Sequence, residues 1–145
     1  RVDRLAGGAS AVIDYKTGGN AQKGAWLGER PELPQLPLYV QALQGEEVAA
    51  VAFGRVRAGE TGYVGIARDS DEFPGTDDLP KEYASWDELL AAWRRRLESL
   101  AHEFASGDAR LAPNPSKACR HCHLPRLCRI GAARLAEAGE GDDDA

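Results

Sequence analysis

The sequence predicts a small α/β protein with a Cys-rich appendage. Apolar runs rich in β-branched residues cover positions 9–16, 48–56 and 62–67, the pattern of buried strands. Two stretches, 34–43 and 86–105, repeat apolar residues at helical spacing. All three cysteines fall between positions 119 and 128. The expected order is strand, helix, two strands, helix, appendage. This gives a small α/β core over 1–108, a basic Cys-rich segment over 109–136 and a disordered acidic tail over 137–145.

Each element has a local cause. Ala9-Ser10-Ala11-Val12-Ile13-Asp14-Tyr15-Lys16 reads as a strand closed by Thr17-Gly18-Gly19. The Gly and Pro residues spread over 17–34 mark a loop. Pro34 suits a helix start, with Leu36, Tyr39, Val40 and Leu43 as the apolar stripe, and Pro37 is tolerated in the first turn. The strands at 48–56 and 62–67 form a hairpin around a Gly59-Glu60-Thr61-Gly62 turn. Residues 68–84 are acidic and punctuated by Pro and Gly, a loop. Ser85 and Glu88 make a capping box for the second helix, whose stripe of Trp86, Leu89, Leu90, Trp93, Leu97, Leu100, Ala101 and Phe104 is expected to pack in the core before Gly107 ends it.

The chain has 145 residues, 43% hydrophobic and 28% charged, the composition of one ordinary globular domain. No apolar run reaches the length of about 18 residues that a membrane span needs. There is no signal-peptide pattern, and an odd cysteine count argues against a secreted disulfide scaffold. A cytoplasmic location follows. The chain lacks methionine and starts Arg1-Val2-Asp3, so a fragment of a longer protein with an N-terminally incomplete core is expected.

The net charge of −5 is unevenly placed. Residues 1–68 carry +1, residues 69–108 carry −7, residues 109–136 carry +6 with no acid, and the tail carries −5. The acidic total therefore does not argue against a nucleic-acid partner. The basic residues beside the cysteines, Arg120, Arg126 and Arg129 among them, are either a phosphate-facing surface or the ordinary coat of an exposed appendage.

In a strand, residues two apart share a face, so Asp14 and Lys16 emerge together while Ile13 and Tyr15 face away. A carboxylate after three apolar residues needs compensation by a cation. Asp and Lys so placed suit phosphodiester hydrolysis, the carboxylate holding Mg²⁺ and the ammonium orienting water and offsetting charge. Taken alone the tripeptide is more often a salt bridge at a strand end. Its surroundings change that balance: Asp3 lies eleven positions earlier, and Gln35 and Tyr39, four apart, share a face of the next helix.

Arg-Val-Asp-Arg, Val-Ile-Asp-Tyr-Lys-Thr-Gly and Gln-Leu-Pro-Leu-Tyr, in that order, resemble the PD-(D/E)XK nucleases of the RecB/AddB/Cas4 type over roughly residues 1–65. The resemblance implies a restriction-endonuclease-like core, a mixed central sheet flanked by helices. It makes Asp14 a Mg²⁺ ligand, Lys16 the catalytic lysine, Gln35 and Tyr39 active-site or DNA-positioning residues, and the Tyr15 carbonyl a further metal ligand. Asp3 is either the metal-binding Asp that precedes the strand or the second Asp of an Asp-Arg-x-Asp-Arg motif whose first member would lie upstream.

The cysteines read Cys119-Arg120-His121-Cys122-His123-Leu124-Pro125-Arg126-Leu127-Cys128. Thiolates gathered as C-x2-C-x5-C select zinc or an iron–sulfur cluster. Under zinc, His121 or His123 completes a Cys₃His site. The spacing at the end of the domain is similar to that of iron–sulfur nucleases of the AddB and Cas4 type, which implies a [4Fe–4S] cluster with an upstream fourth cysteine, a structural staple. The resulting expectation is a Mg²⁺-dependent DNA exonuclease domain of a repair or recombination helicase–nuclease, nucleoid-associated, with DNA and a helicase domain or subunit as partners. The alternatives are a non-cleaving DNA-binding module of the same fold, or a zinc-stapled interaction domain.

Overall fold

The computed structural model describes residues 1–18, 21–110 and 122–128. Its elements in chain order are β1 (Val2–Arg4), β2 (Ser10–Lys16), a 3₁₀ turn (Lys23–Trp26), α1 (Gln35–Ala42), β3 (Val48–Arg57), β4 (Glu60–Ala67), β5 (Thr76–Asp77), α2 (Trp86–Ala105) and α3 (Pro125–Cys128). The chain divides into two compact units, Arg1–His102 and Glu103–Ala145, so the division falls inside α2.

The first unit is a five-stranded mixed sheet in the order β1-β2-β3-β4-β5. β1 runs antiparallel to β2, β2 parallel to β3, β3 antiparallel to β4 and β4 parallel to β5. The parallel step from β2 to β3 requires a crossover, which α1 supplies. This is the small α/β core with two main helices that the residue pattern predicts, and the mixed sheet that the family resemblance implies. β3 is the central strand, and its first seven residues are buried, so its Ala/Val run has no polar alternation.

The two faces of the sheet differ in side-chain size. On one, Val12, Val51, Phe53 and Ile66 meet Trp26, Leu36, Val40, Trp86, Leu89 and Trp93 from the 3₁₀ turn and the helices. Two indole N–H groups tie this core: Trp86 Nε1 donates to the Val48 carbonyl at 2.6 Å and Trp93 Nε1 to the Trp26 carbonyl at 3.0 Å. The other face holds Ala11, Ile13, Ala50, Ala52 and Ala67 with Phe73. Backbone approach is close there: a Cβ on Gly65 would lie 2.2 Å from the Val51 carbonyl oxygen.

Several boundaries differ from the sequence expectation. The hairpin closes earlier and tighter than a turn over 59–62: Arg57 pairs with Glu60, so the loop is Ala58-Gly59, and Gly59 has φ +80°. A two-residue hairpin loop needs that left-handed backbone, so Gly59 closes the turn and Glu60–Gly62 joins the strand. β1 and β5 have three and two residues, too few to show a period. Glu88 N–H bonds the Ser85 hydroxyl at 3.1 Å, while the Glu88 carboxylate reaches Ala84 N–H at 2.7 Å, one residue beyond the usual box partner. The α2 stripe is core only in part. Trp86, Leu89, Ala92 and Trp93 are buried, whereas Phe104 is 90% exposed. The helical period continues past the last residue that has a core to face. Tyr39 likewise leaves the α1 stripe, at 43% exposure.

Among the described residues no helix is long and apolar enough to cross a membrane. The tail 137–145 lies outside the described residues.

Candidate active site

The site forms where β2 ends beside the start of α1. The apolar half of β2 is buried, and burial relaxes from Asp14 onward, so the strand carries its last polar residues to the edge of the core. Val12 packs on the helix-facing side, and the period of two puts Asp14 and Lys16 on that same side. Their side chains are 18% and 28% exposed, with Lys16 Nζ 2.6 Å from Asp14 Oδ2. That contact is an ion pair by distance but lies off the direction of a hydrogen bond, for Asp14 Oδ2 is buried with no hydrogen-bond partner. Lys16 also stands 5.3 Å from the centre of the Phe53 ring, within cation–π range.

Gln35 opens α1 and continues the line. Lys16 Nζ donates to Gln35 Oε1 at 3.2 Å, and Gln35 Nε2 donates to the Tyr39 hydroxyl at 2.6 Å. One turn of helix separates Gln35 from Tyr39, which is why the spacing of four delivers both to one face. Asp14, Lys16, Gln35 and Tyr39, expected together from the sequence, are thus brought together as a chain of contacts.

Asp3 is not brought to them. Its antiparallel partner is Ala11, whose side chain lies in the alanine-rich core of the opposite face. Directly opposed residues share a face, so Asp3 projects on the far side of the sheet from Asp14. There it accepts a bond from Arg1 Nε at 2.6 Å, while Arg1 also donates to the Tyr15 hydroxyl at 2.9 Å. These bonds, the one to Asp3 above all, raise the Arg1 guanidinium pKa above its ordinary value. The Tyr15 side chain is on that far face too, its ring beside Gly54, where a Cβ would come within 2.8 Å of Tyr15 Cδ1. Any role for Tyr15 toward Asp14 therefore belongs to its backbone carbonyl.

Sequence reading missed Arg55. In the parallel ladder Lys16 pairs with Arg55 and Asp14 with Phe53. Phe53 is in the helix-side core, so Arg55, two residues on, faces the same side as Lys16. Arg55 Nε is buried without a hydrogen-bond partner. The signal was the Val51, Phe53, Arg55 alternation, which becomes informative only once the register is known.

In the second unit, Leu124 N–H points at Cys122 Sγ at 3.4 Å, and Cys128 ends α3 by donating its N–H to the Leu124 carbonyl at 2.8 Å. Cys122 and Cys128 are free thiols. Cys119, Arg120, His121 and Arg129 lie outside the described residues, as does the side chain of Arg126. Among the described residues no three His, Cys, Asp or Glu side chains converge on one point.

A mixed α/β sheet with paired carboxylate and ammonium at the end of a core strand, backed by Gln and Tyr from the crossover helix, defines a restriction-endonuclease-like fold. The family model of the PD-(D/E)XK nuclease superfamily matches residues 1–129, and the chain belongs to that superfamily. Membership brings nuclease-type hydrolase function, with DNA as the substrate it implies and a divalent metal such as Mg²⁺ as the typical cofactor. No curated protein and no solved structure matches the chain.

Proposed function

We propose that this chain is the nuclease domain of a DNA repair or recombination protein that works with a helicase and digests DNA from its ends in a Mg²⁺-dependent reaction. One observation carries the reading: Asp14 Oδ2 is buried with no hydrogen-bond partner beside Lys16 and Gln35. Lys16 Nζ at 2.6 Å supplies charge but no hydrogen bond, so the oxygen's lone pairs stay open to a metal ion. An oxygen donor with open coordination is what a hard divalent ion takes, so the residues fit Mg²⁺. Asp14 and the Tyr15 carbonyl would hold it, and bound there it would lower the pKa of a water and offset phosphate charge.

The chain's own residues supply the remainder. Lys16 presents an ammonium to the non-bridging oxygens, where charge builds in the transition state. Gln35 Oε1 and the Phe53 ring hold that ammonium at the end of β2. Tyr39 fixes the Gln35 amide, leaving an exposed phenol one helical turn along as a DNA-positioning group. Attack in line with the leaving oxygen gives one 3′ and one 5′ terminus per cut.

Lys16→Ala tests this in the protein as it naturally occurs. Mg²⁺-dependent cleavage of end-labelled DNA should fall to background while melting temperature stays near wild type and DNA binding is retained, weakened by no more than one phosphate contact. Cleavage at the wild-type rate would refute the assignment. A non-cleaving DNA-binding module is the second reading, favoured by one observation: of the two candidate carboxylates, Asp14 alone reaches this face. It predicts DNA binding with no metal-dependent cleavage by the wild-type protein.

For the C-x2-C-x5-C segment we favour a structural [4Fe–4S] cluster, supported by the spacing of the three cysteines and by the Leu124 amide directed at the Cys122 sulfur. A brown protein that contains iron and bleaches on oxidation would bear this out. A colourless protein with stoichiometric zinc would replace it with a Cys₃His site.

A further inference from the structure

We infer that Arg55 is a phosphate-contacting residue of this site, gripping the non-bridging oxygens of the DNA phosphodiester beside Lys16; the inference rests on the nuclease reading and deepens it. Of the three buried side-chain polar atoms without a hydrogen-bond partner among the described residues, Trp26 Nε1, Asp14 Oδ2 and Arg55 Nε, the last two belong to charged groups with opposite needs: Asp14 Oδ2 has the Lys16 charge at 2.6 Å but no hydrogen-bond donor, and Arg55 Nε has no acceptor. The β2–β3 register sets Arg55 directly beside Lys16, about 5 Å away across the ladder. Among the described residues Arg55 has no ion-pair partner, unlike Arg57, which faces Glu60, and Arg68, which bonds Glu47.

An arginine kept on an active-site face without a carboxylate must find its acceptor elsewhere, for a buried unpaired donor is unfavourable. Asp14, Lys16 and Arg55 together carry one net positive charge, so the patch is suited to an anion even before a cation binds. The guanidinium fork matches two oxygens of one phosphate in a way an ammonium does not. Lys16 and Arg55 on adjacent strands would then hold the same phosphate from two directions, fixing its orientation for in-line attack.

Three variants test it in the naturally occurring protein: Arg55→Ala, Arg55→Gln and Lys16→Ala. Binding to a single-stranded oligonucleotide is measured in EDTA across a salt series, and cleavage is measured with Mg²⁺. Loss of one phosphate contact lowers the slope of log affinity against log salt by about 0.7. That drop is expected in Arg55→Ala and Arg55→Gln, with kcat/KM for cleavage reduced at least about tenfold. A purely structural role would not move the salt slope. Wild-type slope and wild-type cleavage in either folded Arg55 variant overturn the inference, and Arg55→Gln decides should Arg55→Ala fail to fold. Lys16→Ala separates the two levels of the argument: cleavage retained there sinks the nuclease site, whereas cleavage lost there with the Arg55 variants unchanged sinks only the role of Arg55.

Discussion

Asp14→Asn isolates the cation requirement of the site. Without metal, the substitution removes a buried charge whose Oδ2 has no hydrogen bond, and it also removes the counter-ion of Lys16. Lys16 keeps Gln35 Oε1 at 3.2 Å and is more than a quarter exposed. An ion pair of that exposure contributes about 1 kcal/mol or less, so the metal-free stability should change by no more than that. With Mg²⁺ at about ten times its Kd, the wild-type protein gains RT ln(1 + [Mg²⁺]/Kd), about 1.4 kcal/mol. For a chain of 145 residues that corresponds to about 3–6 °C in melting temperature. The amide presents one neutral oxygen and should gain almost nothing. The assay is a pair of thermal melts, in EDTA and in Mg²⁺, for each protein, with DNA cleavage measured in parallel. An equal Mg²⁺-dependent rise in both proteins would place the ion elsewhere and refute the reasoning.

Three further substitutions probe what positions the site. Gly65→Ala forces a methyl to 2.2 Å from the Val51 carbonyl oxygen and should destabilise by about 1–3 kcal/mol in urea unfolding; an unchanged midpoint would contradict the close strand packing. Trp93→Phe leaves the buried Trp26 carbonyl without its donor and should cost about 2 kcal/mol, read by chemical denaturation, with a wild-type midpoint counting against the contact. Ser85→Ala deletes the hydroxyl that caps α2 at Glu88 N–H and should cost about 1 kcal/mol; the same midpoint as wild type would show that the Glu88 bond to Ala84 suffices.

Local signals made much of the fold legible. β2 and β3 are continuous apolar runs and α1 and α2 carry a helical period, each long enough to identify, and the Ser85–Glu88 pair marks the start of α2. Three residues of β1 and two of β5 carry no period. Those strands exist because β2 and β4 offer edges to pair with, a property of the assembled sheet. The α2 stripe shows the converse error: periodicity states which residues lie on one side of a helix, not how far a core extends to meet them, and Phe104 is left exposed.

The same division runs through the site. Chain order and the two short periods, two in a strand and four in a helix, determined that Asp14 goes with Lys16 and Gln35 with Tyr39, because each pair sits on one element. Tertiary structure decided what no single element contains. The crossover of α1 brought Gln35 within 3.2 Å of Lys16. The β1–β2 register turned Asp3 to the opposite face, since a side chain follows its cross-strand partner and Ala11 faces away. The β2–β3 register set Arg55 beside Lys16, a neighbour separated in sequence by the whole crossover. Local spacing can pair residues along one element, but which elements meet, and on which face, depends on strand pairing and core packing.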